Sequence, residues 1–583
     1  MSFLYRTKKS TIGLSVLVFF SFLVAASAAE RSARPNIVVI LVDDAALMDF
    51  GVYGGEASTP NIDLIASTGK IFSQYRTSPL CSPTRAMLLT GLDNHLTGVA
   101  TIPELLPEEH RGEKGYAMGI EPQIITLPEY LRSEGYRTLM SGKWHLGEEE
   151  ADLPDSHGFD KSFALAASGA DNWEDKSYLG YYPEAPWYED GKRVSLPNDF
   201  YSSQLIVDKM IRYLNDSPDT EPFFAYLPFQ AIHIPVQAPK EYVSKYEGQF
   251  DMGWEALKMS QHQKAQDLGL IPEGAPLSGW PENYRKWKSL SQSDRDVYAA
   301  RMEVNAAMLE AMDFHIGRFV GYLKERKLFE NTIFVITSDN GPEPSRGDNN
   351  LRLDLWMLLN GYNTGLEAIG QKGSWGFIGP EWAAAAATPG SLFKFYMTEG
   401  GIRAPLIIAG PGIDSGQIDS FAMVTDITPT LLEWIGIEKN NSAITGKSLM
   451  GVLKGAKRTT YQKDDFIVME VSGNAVVYQG KFKVIRSVPP MGDNKWRLYD
   501  IEKDPGETLD LSIAKPETYA SLLAHYEDYS SDLGVLKMPE NYNMTDQILM
   551  NTENRMMERQ LENLRSLALV FFVLMLTAWR LRS

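Results

Sequence analysis

Residues 36–44, Asn36-Ile37-Val38-Val39-Ile40-Leu41-Val42-Asp43-Asp44, decide the fold class. The run from Ile37 is apolar, rich in β-branched side chains and without alternation, so it reads as a strand covered on both faces, as in a parallel sheet. Two carboxylates then stand at its carboxyl end, where open α/β sheets keep their chemistry. Working outward, residues 60–67 read as a helix, Thr126-Leu127-Pro128 starts another that stops at Gly135, and 136–141 return to strand. Segments 223–227, 332–337 and 406–409 are further short strands. Leu309, Met312, Ile316, Phe319 and Leu323 recur at helical spacing before the 332–337 strand. This alternation predicts a large mixed, mostly parallel sheet sandwiched by helices. Past about residue 460 the apolar runs 466–469, 475–478 and 482–485 are too close for crossover helices and predict a small antiparallel subdomain.

The chain has 583 residues, 44% hydrophobic and 22% charged, which leaves room for two or three domains or for one large α/β domain with an appendage. A net charge of −19 repels phosphate backbones and argues against a nucleic-acid partner. A single cysteine excludes an intrachain disulfide and a cysteine-rich zinc site. Arg6, Lys8 and Lys9 precede the apolar stretch 12–24 and Ala26-Ser27-Ala28, the pattern of a secretory signal peptide over 1–28, so the expectation is an exported, extracytoplasmic protein. At the other end, 566–579 are uncharged between Arg565 and Arg580. At ~1.5 Å per residue this segment covers about 21 Å of a hydrocarbon layer about 30 Å thick, so it reads as a short membrane anchor with snorkelling arginines. Residues 536–565 are polar and read as its tether.

Three motifs carry chemistry. Asp43-Asp44 ends the first strand, and Ser338-Asp339-Asn340-Gly341 ends the 332–337 strand. Three carboxylates and an amide are hard oxygen donors suited to Ca²⁺ or Mg²⁺. Cys81 lies in Pro79-Leu80-Cys81-Ser82-Pro83-Thr84-Arg85, where Pro83 suits a first helical turn, and a helix N-terminus there favours an anion.

Cys81-Ser82-Pro83-Thr84-Arg85, followed by Leu89-Thr90-Gly91, resembles the signature of type I sulfatases, whose cysteine is oxidised to formylglycine; the bacterial arylsulfatase branch of the alkaline phosphatase superfamily is the nearest likeness. Gly142-Lys143-Trp144-His145-Leu146-Gly147, Glu399-Gly400-Gly401-Ile402-Arg403 and Asp504-Pro505-Gly506-Glu507 fit the same family, over about residues 34 to 535. Thr84 stands where many members have Ser, and Ala45-Ala46 where Leu-Gly is common. The resemblance implies that Asp43, Asp44, Asp339 and Asn340 hold one Ca²⁺ together with the modified residue at Cys81. It implies that Arg85, Lys143 and Lys394 bind the sulfate and that His233 and Lys394 protonate the leaving oxygen. His145 would take the proton that lets sulfate depart. The partners implied are a sulfate ester and a formylglycine-generating maturation enzyme.

The domains expected are a catalytic unit over 34–458 and a C-terminal α+β subdomain over 459–535. Within the first, the long connection 343–398, with Trp356, Tyr362, Trp375, Phe377 and Trp382, reads as an aromatic lid suited to a flat apolar leaving group. Two other functions stay open from sequence: a phosphonate or phosphate ester hydrolase of the same superfamily, and an inactive membrane-tethered binder of sulfate esters.

Overall fold

A computed structural model describes residues 34–216, 221–347, 351–437 and 444–580, the last stretch with side chains as far as 566. The expected signal peptide, 1–28, lies outside the described residues. Asn36–Val42 is buried along its whole length and pairs in parallel with Phe223–Pro228 on one side and Thr332–Ser338 on the other. These three are the middle of a ten-stranded sheet in the order Gly416–Ile418, Gly69–Phe72, Leu406–Ala409, Thr332–Ser338, Asn36–Val42, Phe223–Pro228, Arg137–Lys143, Lys161–Leu165, Trp187–Glu189, Lys192–Arg193. Arg137–Lys143 and Lys161–Leu165 extend the parallel run, while Leu406–Ala409 and the last two strands are antiparallel to their neighbours. The sheet is thus mixed and mostly parallel, as the sequence pattern predicts.

Helices close the crossovers. Gln292–Glu325 buries Leu309, Met312, Ile316, Phe319 and Leu323, the stripe its periodicity marks. Thr126 starts Leu127–Ser133 with a capping box, its hydroxyl taking the Glu129 N–H while the Glu129 carboxylate takes the Thr126 N–H at 2.8 Å.

The C-terminal subdomain is a four-stranded antiparallel sheet of Phe466–Val471, Asn474–Gln479, Phe482–Arg486 and Trp496–Asp500. Its first hairpin turns over Ser472 and Gly473, both at positive φ, as a two-residue turn of this hand requires. Helix Pro516–Leu533 covers one face with Leu522 and Tyr526 against Val477, Val484 and Leu498. A buried ionic cluster joins this subdomain to strand Tyr75–Arg76 and helix Glu399–Ile402. Glu399 accepts hydrogen bonds from Arg76 (2.6 Å), Tyr478 (2.9 Å) and Lys483 (2.8 Å), and Lys483 also pairs with Glu507 at 2.7 Å. Glu507 in turn takes the Ser391 hydroxyl at 2.6 Å and the Glu399 N–H at 3.1 Å.

Two expectations change. The stretch read as a polar tether leads into one helix, Met544–Arg580. Its Gln547 and Asn551 are not solvated: Asn551 donates to Glu104 O and Leu106 O at 2.9 Å, and Gln547 to Leu106 O, satisfying carbonyls of the 103–106 turn. Of the aromatic side chains read as a lid in 343–398, Tyr362, Trp375, Phe377 and Trp382 are buried and Trp356 is half-buried. Trp382 is fully buried against Phe250, Trp254 and Trp287, Trp375 donates its indole N–H to Tyr178 O, and the Tyr362 hydroxyl donates to Ser177 O. Rings that each remove a large area from water hold this segment onto the body. Among the described residues no helix is long and apolar enough to cross a membrane; from residue 567 onward the side chains of the expected anchor, 566–579, lie outside the described residues.

Candidate active site

The carboxyl ends of the two central strands place their acids side by side. The Asp339 N–H donates to Val42 O (3.1 Å), and the Asp44 N–H donates to Asp339 Oδ1 (3.1 Å). Asp44 sits at φ 66°, a left-handed turn that costs an ordinary side chain on the order of 1 kcal/mol, held here by the Ala45 N–H to Ser338 Oγ bond at 2.8 Å. Gly341 is required by contact: a Cβ there would lie 2.0 Å from Gly400 O.

Helix Cys81–Thr90 points its N-terminus at these acids. Cys81 Sγ is 3.5 Å from Asp43 Oδ1 and 3.9 Å from Asp44 Oδ1, and one turn on, Arg85 is on the same face. Arg85 grips Asp339 Oδ2 with Nη2 (2.7 Å) and Nε (3.1 Å) and donates to Lys143 O (2.7 Å). Lys143, the last residue of Arg137–Lys143, reaches Asp43 Oδ2 at 2.6 Å, and Gly142 before it must be glycine because a Cβ would meet Pro228 O at 1.9 Å. Lys394 lies 2.8 Å from Asp44 Oδ1 and 2.7 Å from Glu343 Oε2.

All six residues proposed from sequence for catalysis and all five proposed for a metal therefore meet in one buried place. Asp43, Asp44, Cys81 and Asp339 each offer a ligand atom within 4.8 Å of the others. Asn340 Nδ2 donates to Asp44 Oδ1 at 2.6 Å, whereas its Oδ1 is buried without a hydrogen-bond partner. An orphaned amide oxygen beside three carboxylates fits a hard divalent cation, not a soft one.

The electrostatics agree. Burial, then repulsion from Asp339, pushes the Asp43 carboxyl well above its ordinary value despite Lys143. Asp339 is held near 2 in spite of its burial, by Arg85, Lys143 and Lys394. Four carboxylates, counting Glu343, face three cations here, so a divalent ion would turn a net negative pocket positive, as an anionic substrate requires. Burial and Asp339 raise the Cys81 thiol well above its usual value, so the unmodified side chain is no thiolate nucleophile.

The two histidines flank this centre. His145 is buried with neither ring nitrogen hydrogen-bonded, and burial with Lys143 and Arg85 nearby keeps it neutral. His233 donates Nδ1–H to Ile234 O at 2.6 Å, leaving Nε2 3.7 Å from Asp44 Oδ2. Burial, Lys394 and Lys143 depress it too. Lys394 stays an ammonium, since Asp44 and its other acidic neighbours outweigh its burial. Two residues at the site escape the sequence reading. Glu343 anchors Lys394 but stands in an ordinary Gly-Pro-Glu turn, and Tyr178 sets its ring edge-on to His233, 5.2 Å between centroids, from an irregular strap without a motif.

Comparison with known proteins places this geometry. The sulfatase family model matches residues 35–437, and a model of the C-terminal part of N-sulphoglucosamine sulphohydrolase matches 390–529. An uncharacterized sulfatase of Schizosaccharomyces pombe is 34% identical over 88% of this chain and 96% of its own length. An arylsulfatase of Klebsiella aerogenes is 35% identical over 71% of this chain and 89% of its own. The fold is similar to the crystal structure of Ps i-CgsB in complex with k-i-k-neocarrahexaose, with a TM-score of 0.61 at 21% identity over 90% of this chain and 98% of that one. Matched by the sulfatase family model over more than half of its length and by two sulfatases at 34 and 35% identity, the chain belongs to the sulfatases, enzymes that hydrolyse sulfate esters.

Proposed function

We propose that this sulfatase cleaves aryl or similar sulfate esters with an oxygen nucleophile made by oxidation of Cys81 to formylglycine, and with one Ca²⁺ held by Asp43, Asp44, Asp339, Asn340 and the modified residue 81. The supporting observation is the burial of a protonated thiol at a helix N-terminus against three carboxylates and an unpartnered amide oxygen. When bound, the cation supplies positive charge that lowers the pKa of a hydroxyl at position 81 and steadies the anionic ester. The name of the Klebsiella relative supports aryl sulfates as the assay substrate.

The chain's own groups divide the remaining work. Arg85 fixes the register of the centre by holding Asp339 while its helix N-terminus favours the sulfate anion. Lys143 and Lys394, each already on a carboxylate, present ammonium protons to sulfate oxygens and to the charge that grows on them. His233 has its Nδ1 proton committed to Ile234 O, so Nε2 faces the reaction. Arrival of an anionic ester adds the negative charge that lets Nε2 hold a proton for the leaving oxygen, with the Lys394 ammonium as the second donor. His145, neutral and unpartnered, is free to take a proton from the hydroxyl at position 81.

The test is mass spectrometry of the tryptic peptide spanning 77–85, which should carry an aldehyde or its hydrate at position 81 when the host supplies the maturation enzyme. An active preparation with only thiol there would overturn the proposal. A second expected outcome separates the histidines' roles. His233→Ala should slow alkyl sulfates about 10²–10³-fold while slowing nitrophenyl sulfate, whose oxygen leaves nearly unaided, about tenfold or less. Equal losses on both would remove His233 from the proton path. Export after cleavage near Ala28 belongs to the same proposal.

A further inference from the structure

We propose that helix Leu351–Leu359 and the outer stripe of helix Met544–Arg580 form one lipid-facing surface, and that the sulfate esters cleaved here carry an apolar group that partitions into that lipid. The substrate half rests on the sulfatase reading; the docking half does not.

Leu351, Leu355, Leu358 and Leu359 are 83, 53, 71 and 76% exposed. Their spacing of i, i+4, i+7 and i+8 puts them on one stripe of a helix that turns Met357 into the body. Water-facing leucines at all four positions leave a continuous apolar face, which soluble monomers avoid outside binding sites. This helix is joined to the next by an ion pair, Arg352 with Glu553. On that next helix Met550, Met557, Leu561 and Leu564 are 47, 59, 49 and 62% exposed, spaced by seven, four and three residues, again on one side. Met550 and Met557 bracket Glu553, so the second stripe begins where the first is attached.

Chain continuity names the occupant. The same helix runs on through 566–579, which carry no charge, toward Arg580. At about 21 Å that stretch is too short for a comfortable span, but it suits shallow insertion beside a second apolar element. With a net charge of −19 the chain is not drawn to anionic headgroups, so apolar burial has to drive the contact.

The surface is wired to the catalytic centre. Arg559 donates to Gly180 O and Tyr181 O, and the Trp356 indole and Met556 sulfur both approach Gly180. Two residues before it in the same strap, Tyr178 meets the His233 ring. An ester with its apolar end in the bilayer and its sulfate in the site would pass along that strap.

The experiment is flotation with phosphatidylcholine vesicles, using the mature full chain and a form ending at Arg565, each with and without Leu351→Gln, Leu355→Gln, Leu358→Gln and Leu359→Gln together. Glutamine keeps helix propensity, and these positions touch no site residue. The form ending at Arg565 should still float, and the four substitutions should cut its bound fraction about tenfold or more. A shortened form that does not float, or floats equally with the leucines replaced, overturns the proposal. So does a dimer that the substitutions split, with no vesicle binding, because the leucines then face a second copy. For the substrate half, the ratio of kcat/KM for cholesterol sulfate in vesicles to that for nitrophenyl sulfate in solution should fall about tenfold in the leucine variant; an unchanged ratio overturns it. If the parent enzyme turned over neither ester, the sulfatase reading would fall while the flotation result stood.

Discussion

The Cys81→Ser enzyme should fold like the parent and lose turnover of nitrophenyl sulfate by on the order of 10⁴-fold or more. Folding should survive because serine is smaller, polar and favoured at a helix start, and no disulfide or packing role is lost. Turnover should vanish because the single hydroxyl of an unmodified serine could take a sulfo group but has no second hydroxyl from which to expel it. The measurement is steady-state kinetics beside thermal unfolding. A variant that keeps its melting temperature and also keeps a tenth of parental activity would rule out an oxidised nucleophile at this position.

The second large effect is on stability. Glu399→Ala should cost about 3–5 kcal/mol, because Arg76 and Lys483 would be left buried with one partner fewer and Tyr478 would lose its acceptor. At full length, with about 2.1 cal/mol/K of unfolding entropy per residue, this is a fall in melting temperature of about 2–4 °C. Chemical denaturation with fluorescence detection would measure it, and a loss under about 1 kcal/mol would mean that the cluster is solvated. Activity per folded molecule should fall as well, since Lys483, released by Glu399, would pull on Glu507, whose carboxylate takes the Ser391 hydroxyl and the residue 399 N–H on either side of Lys394. Glu399 itself touches no reacting group; its effect on rate runs through the placement of the Lys394 turn.

The parts legible in the sequence are those where one local rule acts alone. Asn36–Val42 could be placed because a strand buried on both faces has no polar alternation, and Asp43, Asp44, Asp339 and Asn340 because strand ends point to one rim. Cys81 came from a helix start, and Arg85, Lys143, His145, His233 and Lys394 from the family resemblance; their convergence needed the fold. Glu343 stayed hidden because its role is made by Lys394, far along the chain, and nothing around it signals that contact. The aromatic segment misled for a related reason: tryptophans that roof a pocket and tryptophans that rivet a loop look alike until Trp254 and Trp287 are seen waiting beneath. Polar residues near Asn551 misled in the opposite sense, since carbonyls of the 103–106 turn were the unseen partners.

Cys81 is 2% exposed and sits beneath Asp43, Lys143 and Lys394. A protein catalyst that modifies a side chain needs to surround it, and the packed helix Cys81–Thr90 offers no such grip. Under the proposed conversion of residue 81 to formylglycine, oxidation would compete with folding itself: every molecule that packs this helix before the thiol is reached would become a well-folded, inert copy. The fraction of working enzyme is then a kinetic quantity, set by how long residues 79–91 linger as open chain, and two preparations of identical stability can differ in specific activity for no reason visible in either native state.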